Sequence, residues 1–216
     1  MKTLLCYGDS NTWGYIPGSG ARLAHGRRWP DLLQARLGPG FRVIDEGLSG
    51  RFTRYDDPAG RPGRNGAELL PPLLESHAPL DLVILMLGTN DVLHLPGVDA
   101  RDAAAGAEDL VQRIHRSGAG HGGGAPAVLL ISPPRIGRLS PQLAPACAGD
   151  PGQAAHFPAH FAAVAQRRQC GFLDAARIVE PSPLDGVHLD EAGHDALATA
   201  VAELILAGAL VLRPCR

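Results

Sequence analysis

The stretch LLCYGDSNTWGY, residues 4–15, decides how the rest of the chain is read. An apolar run, Leu4 to Tyr7, breaks off at Gly8, Asp9, Ser10 and Asn11 before two large aromatics, Trp13 and Tyr15. A hydrophobic strand that ends in small polar residues presents them at its tip. The question is whether Ser10 is what this strand presents.

Working outward, Thr3-Tyr7 has four companions: Phe41-Asp45, Leu82-Leu87, Ala127-Ser132 and Gly171-Asp174. Most lack polar alternation, as strands covered on both faces do, so they predict a parallel sheet. Between them lie segments with helical spacing: Trp29-Leu37, Ala67-His77, Arg101-Arg116, Gln153-Gln169 and Glu191-Leu206. Pro30 suits a first helical turn, and Gly38-Pro39-Gly40 is a firm stop. In Arg101-Arg116 the residues Ala104, Ala107, Leu110, Val111 and Ile114 recur at three- and four-residue steps, which gives one packed and one solvated face. Strands alternating with helices predict an α/β fold with right-handed crossovers, in which ligands gather beyond the carboxyl ends of the strands.

The bulk properties narrow the classes. A chain of 216 residues with no composition shift is expected to form one domain, residues 1–216. Lys and Arg total 20 against 22 Asp and Glu, and the arginines are scattered, so no nucleic-acid partner is expected. Leu4-Tyr7 is too short for a signal segment, and no later apolar stretch approaches the ~18 residues of a membrane span. A soluble, cytoplasmic protein with no membrane partner is expected. Cys6, Cys147, Cys170 and Cys215 form no C-x-x-C pair and read as reduced thiols, with no metal or cofactor implied.

The strand ends carry the chemistry. Gly8-Asp9-Ser10-Asn11 follows the first strand, Glu46-Gly47-Leu48-Ser49-Gly50 the second, Gly88-Thr89-Asn90-Asp91 the third, and Asp185-Gly186-Val187-His188 comes a short way after the fifth. The loops Arg54-Asn65 and Ser117-Pro126 carry no comparable signal. A serine hydroxyl needs a base within reach and a carboxylate that orients the base. Asp185 and His188 can supply that pair for Ser10. A developing oxyanion needs donors already in place, each worth roughly 2.7–4 kcal/mol in serine hydrolases. The backbone N–H groups of Ser10 and Gly50 and the Asn90 amide are the candidates. Taken singly, each segment also reads as a turn or a helix cap. Their agreement in place and order favours a site.

The blocks YGDSN, EGLSG, LGTND and DGVHLD resemble those of the GDSL family of hydrolases, also called the SGNH hydrolases, from about Leu4 to Asp190. The resemblance implies a three-layer α/β/α flavodoxin-like fold with a central parallel five-stranded sheet. It also implies Ser10 as nucleophile, Gly50 and Asn90 as oxyanion donors, and Asp185 and His188 completing a triad. The stretches GDSNTWGY, RW, EGLSGR, DDP, PLDLVILMLGTND and ISPP further resemble its small bacterial arylesterases and acyltransferases. That branch implies a small ester substrate, acyl transfer to alcohols or peroxide beside hydrolysis, and a homo-oligomer. Asn11 departs from the family's apolar residue or Thr after the serine. Asn11, Trp13 and Val92 are expected to bind substrate, with Val92-Leu95 and Ile136-Leu143 supplying apolar lining.

Three rival readings stay open. A metal-dependent phosphatase or sulfatase would use the Asp9-Ser10 pair with Asp185, His188, Asp190 and His194 as ligands. A noncatalytic binding module could share the fold. Ser49 could be the nucleophile, although Arg51 breaks the G-x-S-x-G pattern.

Overall fold

The computed structural model describes residues 1–208. Five strands form one sheet: β1 (Lys2–Gly8), β2 (Phe41–Gly47), β3 (Leu82–Met86), β4 (Ala127–Ser132) and β5 (Gly171–Asp174). All pairings are parallel and the order is β2-β1-β3-β4-β5. Leu4 in β1 stands level with Val43 in β2 and Leu82 in β3. All five residues of β3 are buried, which is why the strand reads as a continuous apolar run.

The α-helices are α1 (Ser10–Trp13), α2 (Trp29–Leu37), α3 (Gly66–His77), α4 (Thr89–His94), α5 (Ala100–Arg116), α6 (Phe157–Arg168) and α7 (Glu191–Leu206), and the longer of them cover both faces of the sheet. On one face, Leu5, Tyr7, Val83, Leu85 and Leu130 pack with residues of α3, α5 and α6 such as Leu70, Leu110 and Phe161. On the other, Leu4, Cys6, Ile84 and Ile131 pack with Trp29 and Leu33 of α2 and Leu197 and Val201 of α7. Successive side chains of a strand point to opposite faces, so β1 feeds both cores. The expected three layers are present.

The expected helices form, with one correction. Gln153–Gln169 is not one helix: a 3₁₀ turn over Pro151–His156 meets α6 at Phe157. Pro158 has no N–H to donate back into a preceding turn, so it begins a helix there and cannot continue one. Two short helices, α1 and α4, escape the periodicity reading. Part of the C-terminal run AGALVLRPCR, with Cys215, lies outside the described residues.

The strand order positions the site. From β1 the chain moves outward to β2, then returns past β1 to β3, so the loops after β1 and β3 diverge and leave a crevice. Ser10 follows β1 and Asn90 follows β3, at that switch point. The end of β2 lies against α1 because residue 47 is glycine, where a Cβ would collide with the backbone of Thr12 and Trp13.

Candidate active site

Ser10 occupies the first position of α1. Asp9 caps this one-turn helix by accepting from Asn11 N–H at 3.0 Å. The Ser10 side chain meets His188, with Oγ 3.0 Å from Nε2. His188 Nδ1 in turn lies 2.7 Å from Asp185 Oδ2. Asp185 Oδ1 accepts from the N–H groups of Val187 and His188, each at 2.9 Å, and Oδ2 from Gly18 N–H at 3.2 Å. These bonds fix the carboxylate and, with it, the ring tautomer that leaves Nε2 free to accept. Tyr15 stacks on the imidazole, with ring centroids 4.0 Å apart.

Three donors face the same space. Ser10 N–H, at a helix N-terminus, and Gly50 N–H have no acceptor among the described residues. Asn90, in the first turn of α4, donates through Nδ2 to Arg51 carbonyl at 3.0 Å, which orients its amide. The second amide hydrogen leans toward Asp9 at 3.5 Å, too long for a firm bond, and remains available.

A buried polar frame holds these donors. The Arg51 guanidinium lies over the Tyr7 ring and donates to the Gly8 carbonyl at 2.8 Å and to the Glu46 carbonyl, tying the ends of β1 and β2 together. Asp91 accepts from the Thr53 N–H at 3.1 Å and from its hydroxyl, fastening the loop after Gly50 to α4.

Burial sets the charge of the frame. It pushes the Asp9 carboxyl up to about 6, against the pull of Asn11 N–H, His188 and Arg51. It pushes Asp91 up to about 7 despite the bonds from Thr53. Burial raises Asp185 as well, but there the hydrogen bonds from His188 and Val187 win and hold it at about 2. Asp9 and Asp91 keep their protons more tightly folded than unfolded. The stability they lend is complete below about pH 3.8 and is lost as the pH rises through about 6 and 7. Asp185 works in the opposite sense, lending stability above about pH 3.8 that is lost as the pH falls toward 2. Asp91→Asn is therefore expected to flatten the decline in Tm between pH 5 and 8. A decline as steep as the wild type's would refute the assignment.

A cleft of about 500 Å³ opens over Ser10, Gly50, Asn90 and His188. The sequence-predicted Ser10, Asp185, His188, Gly50 and Asn90 are thus brought together. The three expected substrate contacts lie elsewhere. Asn11 turns away from the cleft, donating to the Val187 carbonyl at 3.3 Å and accepting from Leu189 N–H at 2.9 Å, so it clasps the loop that carries His188. Trp13 lies under the Arg22 guanidinium, 5.0 Å from its ring centroid, while Tyr15 reaches the cleft. Val92 is buried in the core, and the next residues of α4, Leu93 and His94, line the cleft. Leu143 lines it as expected, whereas Ile136 packs against the core.

The residues of the rival readings also have definite places. Ser49 lines the cleft, but His188 Nε2 addresses Ser10. Asp190 caps α7, and His194 is buried, accepting from Trp29 N–H at 3.3 Å. Burial lowers the His194 pKa to about 4, so the ring is neutral. Among the described residues, no group of three or more His, Cys, Asp or Glu side chains gathers as a metal site requires.

No curated protein matches the chain. Solved structures do: a Mycobacterium smegmatis aryl esterase is 38% identical, with a TM-score of 0.90 over 96% of this chain and 99% of that one. A carbohydrate acetylesterase from Sinorhizobium meliloti is 33% identical, with a TM-score of 0.90 over 96% and 99% of the two chains. A second carbohydrate acetylesterase family member from that organism is 38% identical, with a TM-score of 0.89 over 96% and 98%. A family model matches residues 6–196, so the chain belongs to the GDSL-like lipase/acylhydrolase family.

Proposed function

We propose that the chain is a serine esterase that cleaves small carboxylic esters through an acyl-enzyme on Ser10. The observation that carries the reading is the Ser10–His188–Asp185 relay, at 3.0 and 2.7 Å, beside Gly50 and Asn90, which line the same cleft as Ser10 and His188. His188 Nε2 takes the hydroxyl proton as Ser10 Oγ attacks the ester carbon. The oxyanion is received by Ser10 N–H, Gly50 N–H and Asn90 Nδ2. His188 then gives its proton to the departing alkoxide, and the alcohol leaves. Water, deprotonated by His188, attacks the acyl carbon; the bond to Ser10 Oγ breaks, His188 returns the proton to Oγ, and the carboxylic acid leaves. No metal or cofactor enters this sequence.

Similarity to aryl esterases and carbohydrate acetylesterases supports an acetyl or aryl ester as substrate. The apolar Leu93, Leu143 and Val187 around the cleft support transfer of the acyl group to an alcohol as a second outcome. Among the described residues, no helix is long and apolar enough to cross a membrane. A cytoplasmic setting belongs to the same reading, and Cys6, Cys147 and Cys170, which form no disulfide among the described residues, fit it.

The test is turnover of p-nitrophenyl acetate in the presence of a strong chelator, followed by labelling with a fluorophosphonate and peptide mass spectrometry. Turnover with the label on Ser10 is expected. Phosphate-ester cleavage that the chelator stops would restore the metal reading, and label on Ser49 would move the nucleophile. Asn90→Ala is expected to lower kcat by about 10²–10³-fold, the loss that follows removal of one oxyanion donor. Unchanged kcat would remove Asn90 from that role.

A further inference from the structure

The loop between β2 and α3 is pinned at its base, where Phe52 pairs with Asn65 and Phe52 N–H donates to the Arg64 carbonyl at 2.9 Å. Its tip folds over the cleft and contributes Asp57, Pro58, Ala59 and Arg61 to the lining. The Arg61 guanidinium lies against Gly50, so close that a Cβ at position 50 would come within 2.6 Å of a terminal nitrogen. Gly50 also has φ +79°, which an L side chain resists, so the glycine both makes the turn and admits the arginine.

The orientation of that guanidinium has a chemical meaning. Its Nε donates to Asp57, and the Arg61 backbone N–H donates to the same carboxylate, as does Ala59 N–H at 3.1 Å. Asp57 is therefore occupied by its own loop, and its side chain is only 4% exposed. The two terminal amino groups of Arg61 have no acceptor among the described residues, and the side chain is 47% exposed in the cleft mouth. Among the described residues that line the cleft, Asp57 is the sole carboxylate, and the other ionisable side chains include His94 and His188. An arginine whose Nε edge is anchored and whose terminal amino groups are unengaged offers a planar fork matched to a carboxylate.

We propose that Arg61 is a specificity-determining residue that favours esters bearing a carboxylate, held by its two terminal amino groups beside the oxyanion donors. This rests on the esterase reading of the same cleft. The carboxylate can belong to the acyl part, as in a hemi-ester of a dicarboxylic acid, or to the alcohol part, as in an acylated hydroxy acid.

Two substrate pairs distinguish these sources. Monomethyl succinate against methyl butyrate tests the acyl side, and 4-acetoxybenzoate against 4-tolyl acetate tests the alcohol side, each followed by pH-stat. In the wild type the anionic member of one pair is expected to lead by about tenfold in kcat/KM, mainly through KM, as suits a charge-assisted contact. The lead should shrink with added salt, vanish in Arg61→Gln and survive in part in Arg61→Lys, which keeps the charge but loses the fork. A wild type without preference in either pair overturns the proposal. So does an Arg61→Gln variant in which both members of a pair slow together and their ratio stays. Failure here with p-nitrophenyl acetate still turned over, and turnover lost in Ser10→Ala, leaves the esterase reading standing. A wild type that cleaves no ester at all sinks that reading itself.

Discussion

Replacing Ser10 by alanine is expected to reduce kcat/KM on p-nitrophenyl acetate by about 10⁴-fold or more, because residual catalysis from the oxyanion donors and binding then acts without a nucleophile. The substitution removes one hydroxyl from a residue only 5% exposed, and its acceptor His188 Nε2 keeps access to the cleft. The Asp9 cap and the Asn11 clasp do not involve the Ser10 side chain. Folding should survive, and an unchanged Tm beside the lost rate would locate the effect in the chemistry. Retained activity would rule out Ser10 as nucleophile and bring Ser49 forward.

Asp185→Asn should cost nearly as much, about 10⁴-fold in kcat, the loss that follows when an amide replaces the carboxylate and the histidine takes the wrong tautomer. Here the carboxylate has a second duty, because it also accepts N–H groups from Val187, His188 and Gly18. An asparagine has one acceptor atom for these partners and places an NH₂ group among donors. A lower Tm is therefore expected together with the lower kcat, unlike the Ser10 variant. Since Asp185 is ionised down to about pH 2, its loss should be felt across the whole working pH range. Kinetics with Tm measured alongside checks this, and a variant with wild-type kcat would remove Asp185 from the relay.

The parts of the molecule legible in the sequence are those whose physics is local or repeated. β3 could be read because burial on both faces leaves no polar residue in Leu82–Met86. α5 could be read because its apolar residues return every three or four positions along a helix of 17 residues. Ser10, Asn90 and the Asp185–His188 pair could be read because strand ends in such a sheet converge. Directions within short helices could not. In α4, of six residues, one position turns a side chain through about 100°, which separates buried Val92 from cleft-lining Leu93. Trp13 announced bulk but not orientation, which Arg22 settles from nine residues away in sequence by covering the ring and bonding the Trp13 carbonyl. The loop of Asp57 and Arg61 carries the family-like DDP but no sign of where it folds, because its place depends on the pairing of Phe52 with Asn65. A loop without periodicity or a motif announces its destination only when folded.

The clasp of Asn11 on Val187 and Leu189 joins positions 176 and 178 residues apart, with the base suspended between its two bonds. On a ribosome, the nucleophile emerges 178 residues ahead of its proton acceptor. A nascent chain that stops short of residue 188 carries a serine with no partner to activate it. The same side chain that seats the later loop thus ties the reactivity of Ser10 to the synthesis of every residue up to Leu189.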